Sequence, residues 1–153
     1  MKPLIIFCLL ALVSYFILPQ ENSTQINKQP ISIKIKVSGA VKEEQEVELQ
    51  SESMSLLLEK IELEENANRS CLNLNRVLKH EDEVYIPSND SLNISLNKAS
   101  QEELMQIKGI GPAIASRIIE YRQVNSFMSI EDIMNIKGIG YKTYVKLRSF
   151  LCL

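Results

Sequence analysis

The segment Ile107-Lys108-Gly109-Ile110-Gly111 returns 29 positions further on (109 to 138) as Ile136-Lys137-Gly138-Ile139-Gly140. The flanks return with it. Ser100-Gln101-Glu102-Glu103 and Ser129-Ile130-Glu131-Asp132 each set a serine three residues ahead of an acid, which is the pattern of a helix-starting capping box or its Asp variant. Two matching starts and two matching Gly-Ile-Gly turns constrain residues 94–153 to a tandem repeat. Each repeat reads as a short helix, a tight turn and a second helix.

Within the first repeat, Leu104 and Ile107 form the apolar face of the leading helix, and Ile110 points inward to pin the turn. Both Gly109 and Gly111 are read as backbone positions closed to other residues. Pro112 suits the first turn of the following helix, where its missing N–H costs nothing. Ile114, Ala115, Ile118 and Ile119 face the core. The second repeat supplies Ile133 and Ile136, then Tyr144, Val145, Leu147 and Leu151. Arg117, Arg122 and Arg148 read as basic residues on a solvated helix face.

The turn carries the chemistry. A glycine-rich loop entering a helix presents free N–H groups at the positive end of the helix dipole, and a residue without a side chain lets a phosphate oxygen come close. The candidate set is therefore Lys108, Gly109, Ile110, Gly111 and Ala113 in one repeat, with Lys137, Gly138, Ile139, Gly140 and Lys142 in the other. Thr143, Lys146 and Lys98 lie further out. Ammonium groups beside such a turn add charge-assisted contacts to neighbouring phosphates, and contacts of this kind position a protein on nucleic acid without reading bases. Neither repeat matches a dinucleotide fingerprint or a P-loop. An ordinary helix corner explains one such turn more easily than two in register.

Charge divides the chain the same way. From residue 94 onward Lys98, Lys108, Arg117, Arg122, Lys137, Lys142, Lys146 and Arg148 outnumber Glu102, Glu103, Glu120, Glu131 and Asp132, whereas residues 20–93 are net acidic. A basic unit beside an acidic one suggests two jobs. Residues 1–19 read as an address: Lys2 precedes an apolar run from Leu4 to Leu18. At about 1.5 Å per residue that run reaches about 22 Å, short of an about 30 Å hydrocarbon core unless Pro3, Pro19 and a snorkelling Lys2 extend it. Small residues are missing where a signal peptidase would need them, so an uncleaved anchor with the N-terminus inside is expected, a cleaved signal being the alternative. Either places the functional residues outside the cytoplasm.

Residues 20–30 form a polar tether. Residues 31–87 then read as a small mixed α+β unit. Ile31 to Val37 alternates as a strand, Ser38-Gly39 is a turn, and a second strand is expected around Val47-Glu48-Leu49. Ser53 caps a helix carrying Leu56, Leu57 and Ile61, and Leu72, Leu74, Val77 and Leu78 mark a short helical or turn element. Val84-Tyr85-Ile86 before Pro87 is an edge strand. Residues 88–93 read as a linker. Cys71 and Cys152 are either a pair, if the compartment is oxidising, or two independent small core residues. His80, the one histidine, sits in a charged surface turn. No cofactor or metal is called for, and no carboxylate cluster suits a two-metal nuclease, so the chain is not expected to be an enzyme.

Residues 94–153 resemble the tandem helix-hairpin-helix domain of the ComEA family of competence DNA receptors. The likeness rests on Asn97, Ala99, Glu103-Leu104, Gly109-Ile110-Gly111, Ala115, Ile118, Tyr121-Arg122, Phe127, Glu131-Asp132 and Gly138-Ile139-Gly140. More weakly, residues 33–87 resemble the β-grasp-like SLBB domain of the anchored members, through Val37-Ser38-Gly39-Ala40-Val41 and Val84-Tyr85-Ile86-Pro87. Glu43 to Glu46, Glu62 to Glu65 and Asn125-Ser126 depart from the family pattern. The resemblance implies an α+β chain with a membrane helix, an SLBB-like unit and an all-α hairpin domain. As partners it implies duplex DNA, the membrane, a DNA-uptake channel, and self-association through the SLBB-like unit. The competing expectation is an envelope assembly or export module in which the hairpins are scaffold.

Overall fold

The computed structural model describes residues 32–153. The anchor and tether expected over 1–30 lie outside the described residues. Among those described, no helix is long and apolar enough to cross a membrane.

β1 (Ile33–Gly39) is the centre of a three-stranded sheet of order β2-β1-β3. Its strict alternation buries Ile33, Ile35 and Val37 and turns Lys34 and Lys36 to water, as the period of two requires. β2 (Gln45–Leu49) runs antiparallel to it with Ile35 opposite Val47, and β3 (Glu83–Ile86) runs parallel on the other side with Val37 opposite Val84. β1 stops at Gly39, whose φ of +97° and close approach to the Ile86 carbonyl exclude a Cβ. α1 (Met54–Lys60) lays Met54 and Leu57 on the sheet, while Leu56, expected inside, is 43% exposed. The Leu72–Leu78 stretch also differs from a helix. A single 3-10 turn precedes it at Arg69–Cys71, and Leu78 donates its N–H to the Glu52 carbonyl in extended backbone. Alternation there buries Leu78 and exposes Val77.

A second core lies in the C-terminal half. α2 (Gln101–Leu104) leads the first repeat and α3 (Pro112–Val124) follows its turn. In the second repeat the leading element is a 3-10 turn, Ile130–Asn135, and α4 (Tyr141–Leu147) follows. Burial obeys the repeat: Leu104 and Ile133, Ile107 and Ile136, Ile110 and Ile139, and Ile118 and Leu147 are all buried. This half is not purely helical, however. β4 (Ile94–Ser95) pairs in parallel with β5 (Leu151–Cys152), and the Leu96 N–H reaches the Cys152 carbonyl at 2.8 Å. Two chain segments that meet in extended form satisfy their amides through each other. Residues 88–93, expected as a linker, are held as well: Asn89 N–H bonds the Asn66 carbonyl, and the Asn93 amide bonds the Ser88 and Ser91 carbonyls.

The two cores are joined by a seam that the sequence did not announce. A disulfide links Cys71 to Cys152, 81 residues apart. Beside it the Glu131 carboxylate accepts from Arg76 Nη1 at 2.9 Å, from the Tyr144 hydroxyl at 3.1 Å and from the Tyr85 N–H at 3.2 Å. The Arg76 and Glu131 side chains are only 14% and 13% exposed. Arg76 also pairs with Asp82 at 3.1 Å, and the Arg148 guanidinium lies 4.6 Å from the Tyr85 ring centroid.

Burial, then the Glu131 charge, pushes the Tyr144 phenol far above its ordinary range, and burial also raises Tyr85. Raised folded-state values mean that the stability is complete below the ordinary phenol pKa of about 10 and is lost as pH climbs past it. The urea midpoint is expected to fall between about pH 9 and about pH 11, less so in Tyr144→Phe, which has no phenol there to ionise. An equal fall in both proteins would remove Tyr144 as the cause.

Candidate nucleic-acid interface

Each repeated turn is a type II β-turn. The Ile110 N–H bonds the Ile107 carbonyl and the Ile139 N–H bonds the Ile136 carbonyl, both at 2.9 Å. Gly109 and Gly138 occupy the third turn position at φ +107° and +104°, where this turn type demands glycine. The second glycine of each pair does something else. Gly111 and Gly140 have φ of −93° and −96°, open to any residue, and stand as the N-caps of α3 and α4. A Cβ at either would meet nothing within 4 Å. The expectation that both glycines of a pair serve backbone freedom is thus corrected: the first bends the chain, and the second leaves space in front of a helix N-terminus.

What faces that space is a set of open amides. The first helical turns close through Ala115 N–H to the Gly111 carbonyl and Tyr144 N–H to the Gly140 carbonyl, both at 2.9 Å. Among the described residues the N–H groups of Gly111 and Ala113, and of Gly140, Tyr141 and Lys142, have no acceptor. Pro112 removes one donor from the first corner. Lys108, Lys137, Lys142 and Lys146 are exposed and form no ion pair among the described residues. Unpaired donors and cations gathered at two helix starts suit a polyanion.

The two corners support each other. A Cβ on Gly109 would lie 3.6 Å from Leu147 Cδ2 of α4, and one on Gly138 would lie 3.4 Å from Arg117 Nη1 of α3. Each trailing helix therefore packs behind the other repeat's turn. Not every candidate joins this surface. Ile110 and Ile139 are buried at 4% and 3% exposure, with their N–H groups engaged across the turns, so they fix position and offer no contact of their own. Thr143 is half-buried and bonds the Gly140 carbonyl. Lys98 lies in a separate groove with Glu103 and Gln106.

Of the three arginines read as solvated, Arg117 is exposed yet hydrogen-bonded, while Arg122 and Arg148 are partly buried. Arg117 Nη1 donates to the Lys137 carbonyl at 2.8 Å, and Arg122 Nη1 donates to the Ala99 carbonyl at 2.7 Å and the Leu96 carbonyl at 3.2 Å. Arg148 faces Tyr85 across the seam. No motif at the level of residue spacing marks these partners, since each acceptor is a main-chain carbonyl or a ring distant in sequence.

A helix-hairpin-helix motif model matches residues 90–152. The chain is 31% identical to ComE operon protein 1 of Bacillus subtilis over an alignment of 155 residues, covering 87% of this chain and 75% of that one. It is also 32% identical over 60 residues to the endonuclease/exonuclease/phosphatase family domain-containing protein 1 of Mus musculus and of Homo sapiens. Those residues are 39% of this chain but only 10% of either relative. Likeness to the Bacillus protein over most of both chains, together with the helix-hairpin-helix match over residues 90–152, places the chain in the ComEA family.

Proposed function

We propose that the chain is a receptor that holds double-stranded DNA by its phosphate backbone, without reading sequence, in DNA uptake during competence. The observation that carries this reading is the pair of matching corners, each with an open glycine, unpaired amides and at least one exposed lysine, built into a single core. Backbone amides and ammonium groups recognise phosphate and leave base edges untouched. Membership of the ComEA family supports the same reading. The role is non-enzymatic: the chain captures duplex outside the cytoplasmic membrane, held there by residues 1–19, and passes it to a channel. The disulfide supports an extracytoplasmic setting, because such bonds persist in oxidising compartments.

Titration of the full chain in detergent with unrelated duplexes tests this directly. Counterion release with about four phosphates engaged gives a log–log salt slope of about −3 to −4, the same for every sequence. A marked preference for one sequence, or no binding in dilute salt by protein with its native helical spectrum, would overturn the assignment. The second reading is an assembly module acting through self-association of an SLBB-like unit. It is favoured by the outer edge of β2, which has no strand partner among the described residues.

A further inference from the structure

We propose that Arg117 is a positioning residue that locks the second hairpin in its binding geometry; this rests on the reading of the corners as phosphate sites. In a type II turn the peptide between the second and third residues is the one that distinguishes it from type I, since the two forms differ by a flip of that unit. In the second hairpin this is the Lys137–Gly138 peptide. Its carbonyl accepts the 2.8 Å bond from Arg117, a residue twenty positions earlier on the helix of the other repeat. The peptide bond is trans, so the Gly138 N–H points opposite to that carbonyl. Holding the oxygen against α3 therefore holds the amide outward, beside Gly140 and the Lys137 side chain.

The first hairpin lacks this brace. The position equivalent to Arg117 by the repeat is Lys146, which is exposed and makes no hydrogen bond to the Lys108 carbonyl. Leu147 stands behind Gly109 instead. The second turn's central peptide is thus held by a hydrogen bond, and the first by packing alone. Preorganised donors bind more tightly because less order is lost on binding. Arg117 acts through the turn: one of its Nη1 protons is donated to the Lys137 carbonyl.

The test uses the full chain in detergent with Arg117→Ala and Arg117→Lys. Removing the brace is expected to shift or broaden the Lys137 carbonyl-carbon and Gly138 amide resonances, leaving Lys108 and Gly109 unchanged as internal controls. Duplex affinity in Arg117→Ala falls about fivefold, the value of one net hydrogen bond, with the salt slope unchanged. Arg117→Lys, which keeps a donor, restores most of the affinity and the resonances. A slope reduced by about 0.9 would make Arg117 a direct phosphate ligand, and either an undisturbed turn or undiminished affinity would also overturn the proposal. The resonances are read without DNA, so a wild-type protein that ignores duplex sinks the receptor reading and still leaves the brace to be judged.

Discussion

Replacing Cys71 and Cys152 together by serine is expected to lower the melting temperature by about 12–30 °C. The bond closes a loop of 81 residues in separation. By chain entropy, tying ends that far apart costs the unfolded state about 4 to 5 kcal/mol of disorder. For a folded body of this size each kcal/mol moves the midpoint by roughly 3–6 °C. The location adds to the effect. Cys152 belongs to β5, the strand that closes the hairpin core on β4, while Cys71 is buried on the edge of the other half. With the staple gone, the halves are held by the Glu131 cluster, the Arg148–Tyr85 contact and the Asn73–Met128 and Tyr141–Glu83 hydrogen bonds, and the melting transition should broaden or split. Glu131→Ala by itself is expected to cost about 1.5–3 kcal/mol, because it leaves the Tyr144 hydroxyl and the Tyr85 N–H without an acceptor and Arg76 with Asp82 as its one remaining ion pair. The two lesions share one interface and should not add. Calorimetry of the oxidised protein and the serine variant decides this: midpoints within about 3 °C of each other would show that the staple constrains nothing that matters.

That seam was the part of the molecule least legible in the sequence. Local patterns carried the hairpins, because helix caps, turn glycines and core positions all act over a few residues. Ser100 with Glu103, and the Ile107, Ile110, Ile136 and Ile139 anchors, follow from spacing alone. Glu131 could not be singled out that way. Its repeat equivalent, Glu102, is an exposed first-turn acid, and the two differ only because Arg76, 55 residues earlier, folds up to one of them. The cysteine pairing stayed one of two alternatives for the same reason, since it depends on where β5 lands. The shape of the second leading element was missed on a finer scale. Ile130–Asn135 winds as 3-10 where the first repeat is α-helical, and nothing in the side-chain pattern distinguishes the two. At the corners the sequence marked all four glycines as positions needing backbone freedom, and the positive φ bears that out for Gly109 and Gly138 alone.

That distinction between glycines yields the largest expected effect on binding. Gly111 and Gly140 are N-caps with ordinary φ and open space in front, so aspartate at both positions is compatible with the fold. Aspartate is among the preferred N-cap residues, and its charge suits a helix start, so Gly111→Asp/Gly140→Asp should be as stable as the parent or gain up to about 1 kcal/mol. Binding moves the other way. Each carboxylate caps the amides that a phosphate would use and adds like charge at the contact. Losing a charged hydrogen-bond site costs about 1.5–3 kcal/mol, so two corners together lose about a hundredfold or more in duplex affinity. Gly109→Ala and Gly138→Ala should show the reverse profile. Their positive φ penalises any side chain by roughly 1–2 kcal/mol, so stability drops; folded Gly109→Ala keeps much of its affinity, while Gly138→Ala also crowds Arg117 Nη1 at 3.4 Å and loses up to the about fivefold assigned to that brace. Denaturant titration and fluorescence anisotropy on the same four proteins separate the two kinds of glycine. A stable double-aspartate protein that still holds duplex at parental strength would mean that DNA does not approach these corners at all, and that the open space before α3 and α4 serves some other ligand.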